Sequence, residues 1–276
     1  MPTSRIPYAE LPGAVRHAVE DITGSPESLE PASDGLNSAI AVKLNSPKGA
    51  YFVKALPADH RWVRTQQREA AMAPYLDLVA PKLHARLTEG GWDVLVFEAL
   101  EGHRADYAPN SPDLPIVVDL LRRIAGIQCP PVTLRCAEQR LQAYAGADEL
   151  RYFAGDALLH TDLNNANVIV TGDRARVVDW GWATQGAPWL DAGYWVIWLI
   201  AAGHTPDSAE AWASLLPSWQ AAHPRAVNAF AGANARMWAD IGGAEPDAWT
   251  RRLIDASAAW RDYRGRNTEA ELTEFS

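Results

Sequence analysis

The feature that most limits how this chain can fold is a pair of short polar segments threaded between apolar strands, LLHTDLNNANVIV (158–170) and RVVDWG (176–181). Short apolar runs bounded by polar turns read as buried strands. One such run delivers His160, Asp162 follows two residues on, and Asn167 opens the next run. Asp179 closes a third run, directly before Trp180 and Gly181. Asp162, Asn167 and Asp179, spread over 18 positions, are thereby carried to neighbouring strand ends. A chance H-x-D-x-x-x-x-N match in such a chain is on the order of one per cent, and the Asp-aromatic-Gly sequel makes it rarer.

The rest of the chain supplies a frame. Pro7 to Ile22 has helical spacing, with Leu11, Val15, Ala18 and Ile22 on one stripe, and Gly24 ends it. SAIAVKL (38–44) and AYFVKAL (50–56) read as strands about the turn NSPKG. LHARLTEG and WDVLVFEAL read as two more about Gly90 and Gly91. Between the two pairs, Asp59 is the expected cap of a helix running to about Leu78. A further helix is expected from Ser111-Pro112 through Ile127, with serine as cap and proline in first position. From Pro188 the pattern is helical nearly to Arg264, and the polar end GRNTEAELTEFS is expected to be loosely held. The class implied is α+β, a mostly antiparallel sheet with one internal helix followed by a helical half. The expected division is a lobe over 1–98, a connector over 99–104 and a second lobe over 105–276.

Charge and hydropathy narrow the partners. Lys and Arg number 25 against 34 Asp and Glu, a formal charge of −9, which disfavours nucleic acid and anionic membrane surfaces. The most apolar stretch, Ala192 to Ala202, is eleven residues long, too short to span a bilayer, and reads as a helix buried on all sides. The N-terminus lacks the uninterrupted apolar core of a signal peptide. Cys129 and Cys136, in CPPVTLRC, match neither a redox pair nor a zinc site. The expectation is a cytoplasmic protein, monomer or homodimer, with neither nucleic acid nor membrane as partner.

Oxygen-bearing side chains in this layout suit phosphoryl transfer. That reaction needs a carboxylate to orient and accept the proton of an attacking hydroxyl, and oxygen ligands for the Mg2+ that bridges the phosphates. Upstream, Lys54 sits in the apolar strand YFVKAL, where an unpaired ammonium is costly. Glu69 shares the inward stripe of the following helix with Trp62, Gln66, Ala73 and Leu76. Two inward-facing opposite charges suggest a pair; the plainer reading is a surface salt bridge or none.

H-x-D-x-x-x-x-N followed by D-W-G resembles the catalytic and metal-binding segments of the protein-kinase-like superfamily. HTDLNNANV and GAPWLD (186–191) are similar to its aminoglycoside phosphotransferase branch, whose members phosphorylate antibiotics, choline and other small alcohols. The resemblance implies a two-lobed protein-kinase-like fold and a small-molecule kinase moving the γ-phosphate of ATP or GTP onto a hydroxyl acceptor. On it, Asp162 would be the catalytic base and Asn167 and Asp179 the Mg2+ ligands, with His160 a structural prop. Lys54 would touch the phosphates and Glu69 would hold it. Asp191 would brace the catalytic loop, or serve as a plain helix-start carboxylate. Backbone groups from Glu98 to Leu100 would read a purine edge. SDGLNS, with Gly35, Asn37 and Ser38, would be the phosphate loop, although it has one glycine instead of a glycine-rich run. Thr161 stands where that branch usually has glycine, and Trp182 where an acidic residue is common.

The acceptor implied first is an antibiotic of aminoglycoside or nucleoside type. A metabolite kinase for a choline-like or sugar alcohol is the alternative. A non-catalytic nucleotide-binding module is the reading from another class, and the full set of Lys54, Glu69, Asp162, Asn167 and Asp179 stands against it. A protein substrate is disfavoured, because only eight residues separate Asp179 from Pro188 and no A-P-E element follows. Ten of the twelve tryptophans lie at or beyond residue 180. They read as core packing, with one or two available to line an acceptor pocket.

Overall fold

Five strands build the largest sheet: β1 (Ser28–Pro31), β2 (Ile40–Ser46), β3 (Gly49–Pro57), β4 (Leu83–Glu89) and β5 (Trp92–Glu98). They run antiparallel in the order β1-β2-β3-β5-β4. The computed structural model describes residues 5–32 and 37–274, with side chains as far as 266. Gly90 and Gly91 turn β4 into β5 at φ of 54° and 79°, a left-handed region that glycine enters without strain.

Helix α1 (Gly13–Thr23) contributes Val15 and Val19, with Leu11 just before it, to one core with Ile40, Val42, Leu44, Val53, Val94 and Val96. Each such side chain stabilises the fold by about 1.5–3 kcal/mol on burial. The stripe differs from expectation by one residue: Val19 is fully buried and Ala18 half-buried, since the larger side chain takes the core position. Helix α2 (Val63–Met72) starts later and stops earlier than its sequence pattern. Its cap is Trp62 rather than Asp59, because His60 Nδ1 accepts the Trp62 N–H and closes the turn there. Pro74, which has no N–H to donate, falls in the 3-10 turn that follows at Ala73–Tyr75.

These elements belong to one compact unit, made of Met1–His103 together with Arg176–Trp182. The second unit is Arg104–Ala175 with Ala183–Ser276. The later strands are short: β6 (His103–Arg104), β7 (Arg135–Cys136), β8 (Ala157–Leu159), β9 (Val168–Thr171), β10 (Arg174–Val177) and β11 (Thr184–Gly186). In the second unit β11 pairs parallel with β7 and antiparallel with β8. Its helices are α3 (Leu114–Ala125), α4 (Ala137–Leu141), α5 (Leu190–Ala201), α6 (Pro206–Ala213), α7 (Pro217–Gln220), α8 (Pro224–Gly242) and α9 (Ala248–Glu274).

Helix α3 begins after the expected Ser111-Pro112, with Asp113 as its cap residue. The Ser111 hydroxyl instead accepts the Asp113 N–H, and the Asp113 carboxylate accepts the Asp106 N–H, so both side chains serve the turn before the helix. Helix α5 is buried along most of its length, as its unbroken apolar run requires. Phe230 on α8 meets the rings of Trp189, Tyr194 and Trp260 edge-on, at 5.4, 4.9 and 6.1 Å between centroids. A Cβ at Gly193 would lie 2.7 Å from Phe230 Cε1, so α5 and α8 approach where only glycine fits. The backbone stays helical to Glu274, where a loose end was expected. Among the described residues no helix is long and apolar enough to cross a membrane.

Candidate functional site

In the first unit the sheet, α2 and the segment Arg176–Trp182 bring three charges together. Lys54 lies mid-way along β3, opposite Ala41 and Leu95. Its Nζ is 2.8 Å from Glu69 Oε1 and 3.4 Å from Asp179 Oδ1. The Lys54 and Glu69 side chains are only 13% and 8% exposed, so the pair is shielded from water. Burial alone would lower the Lys54 ammonium, but Asp179 and Glu69 outweigh it and hold it above the ordinary lysine range.

The supports of this triad run through α2. One turn before Glu69, Gln66 donates to the backbone oxygen and Oδ1 of buried Asp93, both at 2.7 Å. Arg86 clamps the other Asp93 oxygen at 2.9 and 2.5 Å. Arg68 Nη1 donates to the Gly181 carbonyl at 2.6 Å. A Cβ at Gly181 would crowd Thr65 Cβ and its carbonyl oxygen, both at 3.2 Å, which explains the glycine of D-W-G. Trp182 packs edge-on against Trp62 at 5.6 Å, giving a packing role to the residue that departs from the family pattern. Asp179 holds φ 67°, a strained conformation that costs on the order of 1–3 kcal/mol outside glycine.

The connector is partly spent on the sheet. The Glu98 N–H donates to Lys82 O and the Ala99 N–H to Ala50 O, at 2.8 and 3.2 Å. Glu98 also pairs with Arg176 at 2.8 Å. Of the three N–H groups from Glu98 to Leu100, that of Leu100 is the one not engaged among the described residues. Asn37 and Ser38 are half-buried ahead of β2, and Gly35 lies outside the described residues.

In the second unit β8 ends at a loop whose members hold one another. Buried Asp191, at the start of α5, accepts the His160 N–H on Oδ2 and the Thr161 N–H on Oδ1, both at 2.8 Å. Burial raises the Asp191 carboxyl, and these two N–H groups oppose that rise. Of the two roles left open for Asp191, the contacts are those of a loop brace. His160 is fully buried, and its Nδ1 accepts the Asp162 N–H at 3.3 Å. Thr161 has φ 67°, which is why glycine suits this position; here Arg140 Nη1 bonds the hydroxyls of Thr161 and Thr184 at 2.6 and 2.7 Å.

Asp162 itself is bracketed by neutral amides. Asn164 Nδ2 donates to Oδ1 at 2.8 Å, and Asn167 Nδ2 donates to Oδ2 and to the Asp162 carbonyl, both at 3.0 Å. Asn164 also caps the 3-10 turn at Asn165–Asn167 by accepting the Asn167 N–H at 3.2 Å. The buried Tyr107 hydroxyl donates to Leu163 O at 3.0 Å and pins the far side of the loop. Asn164, Arg140 and Arg68 were not singled out by sequence. The D-L-N spacing of Asp162 and Asn164 was a usable signal for the first. The arginines had none, because each acts across a long separation in the chain.

An antiparallel sheet carrying a strand lysine paired to a helix glutamate, with an H-x-D loop opening a helical unit, is a protein-kinase-like fold. No protein-family model matches the sequence, and no curated protein is significantly similar to it. Solved structures do match. Choline kinase LicA from Streptococcus pneumoniae is 13% identical with a TM-score of 0.65, over 90% of this chain and 98% of that one. Aminoglycoside phosphotransferase APH(4)-Ia is 14% identical with a TM-score of 0.58, over 89% and 98%. Amicoumacin kinase hAmiN, in complex with AMP-PNP, Ca2+ and Ami, is 12% identical with a TM-score of 0.59, over 90% and 92%. The chain therefore has the fold of the aminoglycoside-phosphotransferase-like kinases.

Proposed function

We propose that this protein is a small-molecule kinase that moves the γ-phosphate of a nucleoside triphosphate onto a hydroxyl group. The observation that carries the reading is the Lys54 ammonium, kept charged inside the first unit by Glu69 and Asp179. A desolvated cation of this kind suits phosphate oxygens, and a carboxylate partner fixes where it points. In this reading residues 1–98 are a nucleotide-binding lobe, 99–104 a hinge and 105–276 the catalytic and acceptor lobe. Leu100 N–H is then the donor of the hinge left to meet a purine.

Asp162 would accept the proton of the attacking hydroxyl. Its two oxygens are oriented by Asn164 and Asn167, both neutral donors. Asn167 spends its NH2 on Asp162 and retains its amide oxygen; Asp179 retains an oxygen beyond the one that meets Lys54. Such oxygen donors fit Mg2+, which Asn167 and Asp179 would hold and which would neutralise charge on the phosphate oxygens. His160, Asp191 and Arg140 position the loop without touching substrate.

For the acceptor, an antibiotic of aminoglycoside or nucleoside type is our first reading, and APH(4)-Ia and the amicoumacin kinase share the fold. A choline-like acceptor is the second. It draws on half-exposed Trp249, whose ring lies 5.8 Å from that of Trp198 and 5.7 Å from that of Trp238, since indole faces suit a quaternary ammonium. The test is mass spectrometry of reactions with Mg2+, ATP or GTP, and a panel of hydroxylated antibiotics and metabolites. A phosphate adduct on one compound, absent with Asp162→Ala, is the expected result. Bound nucleotide with no adduct across a broad panel would favour a binding module instead.

A further inference from the structure

The second unit carries a cleft of about 450 Å3 that lies apart from the catalytic-loop residues in its lining. Its volume falls within the roughly 300–1,000 Å3 of small-molecule sites. On α8, Arg225, Ala229, Gly232 and Arg236 fall on one stripe of its lining. Arg151 and Tyr152 come from the turn before β8, and Arg261 from α9. Four guanidinium groups thus gather in one cleft of a protein whose net charge is −9. Such clustering repels itself unless an anion is present.

The charges facing these arginines do not balance them. Arg261 pairs with Asp262 at 2.7 Å, and Arg236 stands 4.0 Å from Glu149 while donating from Nε to Tyr144 O. Arg151 lies on the Tyr152 ring at 5.1 Å. Arg225 is engaged through its backbone N–H, by His223 Nδ1, and its guanidinium makes no hydrogen bond or ion pair among the described residues. Asp148 and Glu149 are the only acidic groups in the lining.

Gly232 is a second, independent sign. A glycine inside a helix costs about 0.5–1 kcal/mol relative to alanine. Here the three atoms nearest to a Cβ would all belong to the Arg236 guanidinium, Nη1 first at 3.4 Å, so close core packing does not demand glycine. What the missing side chain does leave is room beside that guanidinium.

We propose that this cleft binds an acidic small molecule through a carboxylate or phosphate group held by Arg151, Arg225 and Arg236. Guanidinium forks match the paired oxygens of both groups. Asp148 and Glu149 select a ligand that also carries a hydroxyl or ammonium group. The site is independent of the phosphoryl-transfer reading and stands or falls separately from it.

The test is isothermal titration of the full chain at low ionic strength with inorganic phosphate and with citrate. The same titrations are run on Arg151→Gln/Arg225→Gln and on Gly232→Met, with circular dichroism confirming that each is folded. Saturable binding of at least one anion is expected, weakened about tenfold or more in both variants. Phosphate without citrate, or the reverse, identifies the group recognised. Equal affinity in the wild type and both variants, or no saturable binding of either anion, would overturn the site.

Discussion

In the first unit a buried carboxylate is answered by a cation: Glu69 has Lys54 at 2.8 Å, and Asp179 shares it. In the second unit two carboxylates of the candidate site, Asp191 and Asp162, are held by neutral groups. Asp191 takes two backbone N–H groups and Asp162 takes two side-chain amides. Opposite charges fix one another strongly, but each then depends on its partner remaining. Amide donors orient a carboxylate without pairing it to an opposite charge. On the proposed reading, the first region would hold the phosphates of a nucleotide and the second would activate a hydroxyl.

The division is broken or sharpened most by removing the proposed base. Asp162→Asn should lower kcat by about a hundred- to ten-thousand-fold. Nucleotide affinity should stay within about threefold of wild type by calorimetry; a large loss would assign Asp162 to binding. Next in size, Lys54→Ala strands Glu69 and should cost about 3–5 kcal/mol in urea unfolding. A loss under about 1 kcal/mol would mean that water already screens the pair.

Asp191→Ala removes the acceptor of two buried N–H groups, each worth about 1–3 kcal/mol when left unpaired. Its melting temperature and kcat should both fall, and an unchanged kcat would break the claim that Asp191 positions the loop. The smallest effect is expected for Thr161→Gly. It relieves left-handed strain of about 1–2 kcal/mol and forfeits an Arg140 hydrogen bond of about 0.5–1.5 kcal/mol. The net should lie within about 1 kcal/mol of zero by denaturant titration; a greater loss would make Arg140 the main tie of the loop.

Much of the frame was legible because it is local. Alternation marked β2 to β5, glycines marked the turn at 90–91, and an unbroken apolar run marked α5. Lys54 and Glu69 were legible as partners because a charge in an apolar strand and one on an inward helix stripe both need an answer. Helix starts were not, since His60 and Ser111 spend their polar atoms on the turn that precedes each helix, and the helices begin later than a simple capping rule assumes. Trp182 departs from the pattern of the resembling family, and its contact with Trp62 is packing. The Arg151–Arg225–Arg261 cleft was invisible because its arginines come from three elements with no common spacing.

The seven residues Arg176–Trp182 that complete the first unit also bear on the order in which the protein can be made. The sheet and α2 leave the ribosome with Lys54 and Glu69, but without Asp179, Gly181 or Trp182. About 70 further residues, 104–175, must be synthesised first. At about 5–20 residues per second that is a wait of roughly 4–14 s, long against the folding of a small domain. During it, Arg68 lacks the carbonyl it later bonds and Trp62 lacks its ring partner. A nascent chain halted near residue 150 should therefore expose Trp62 and the face of α2 to chaperones, and one released beyond residue 182 should not.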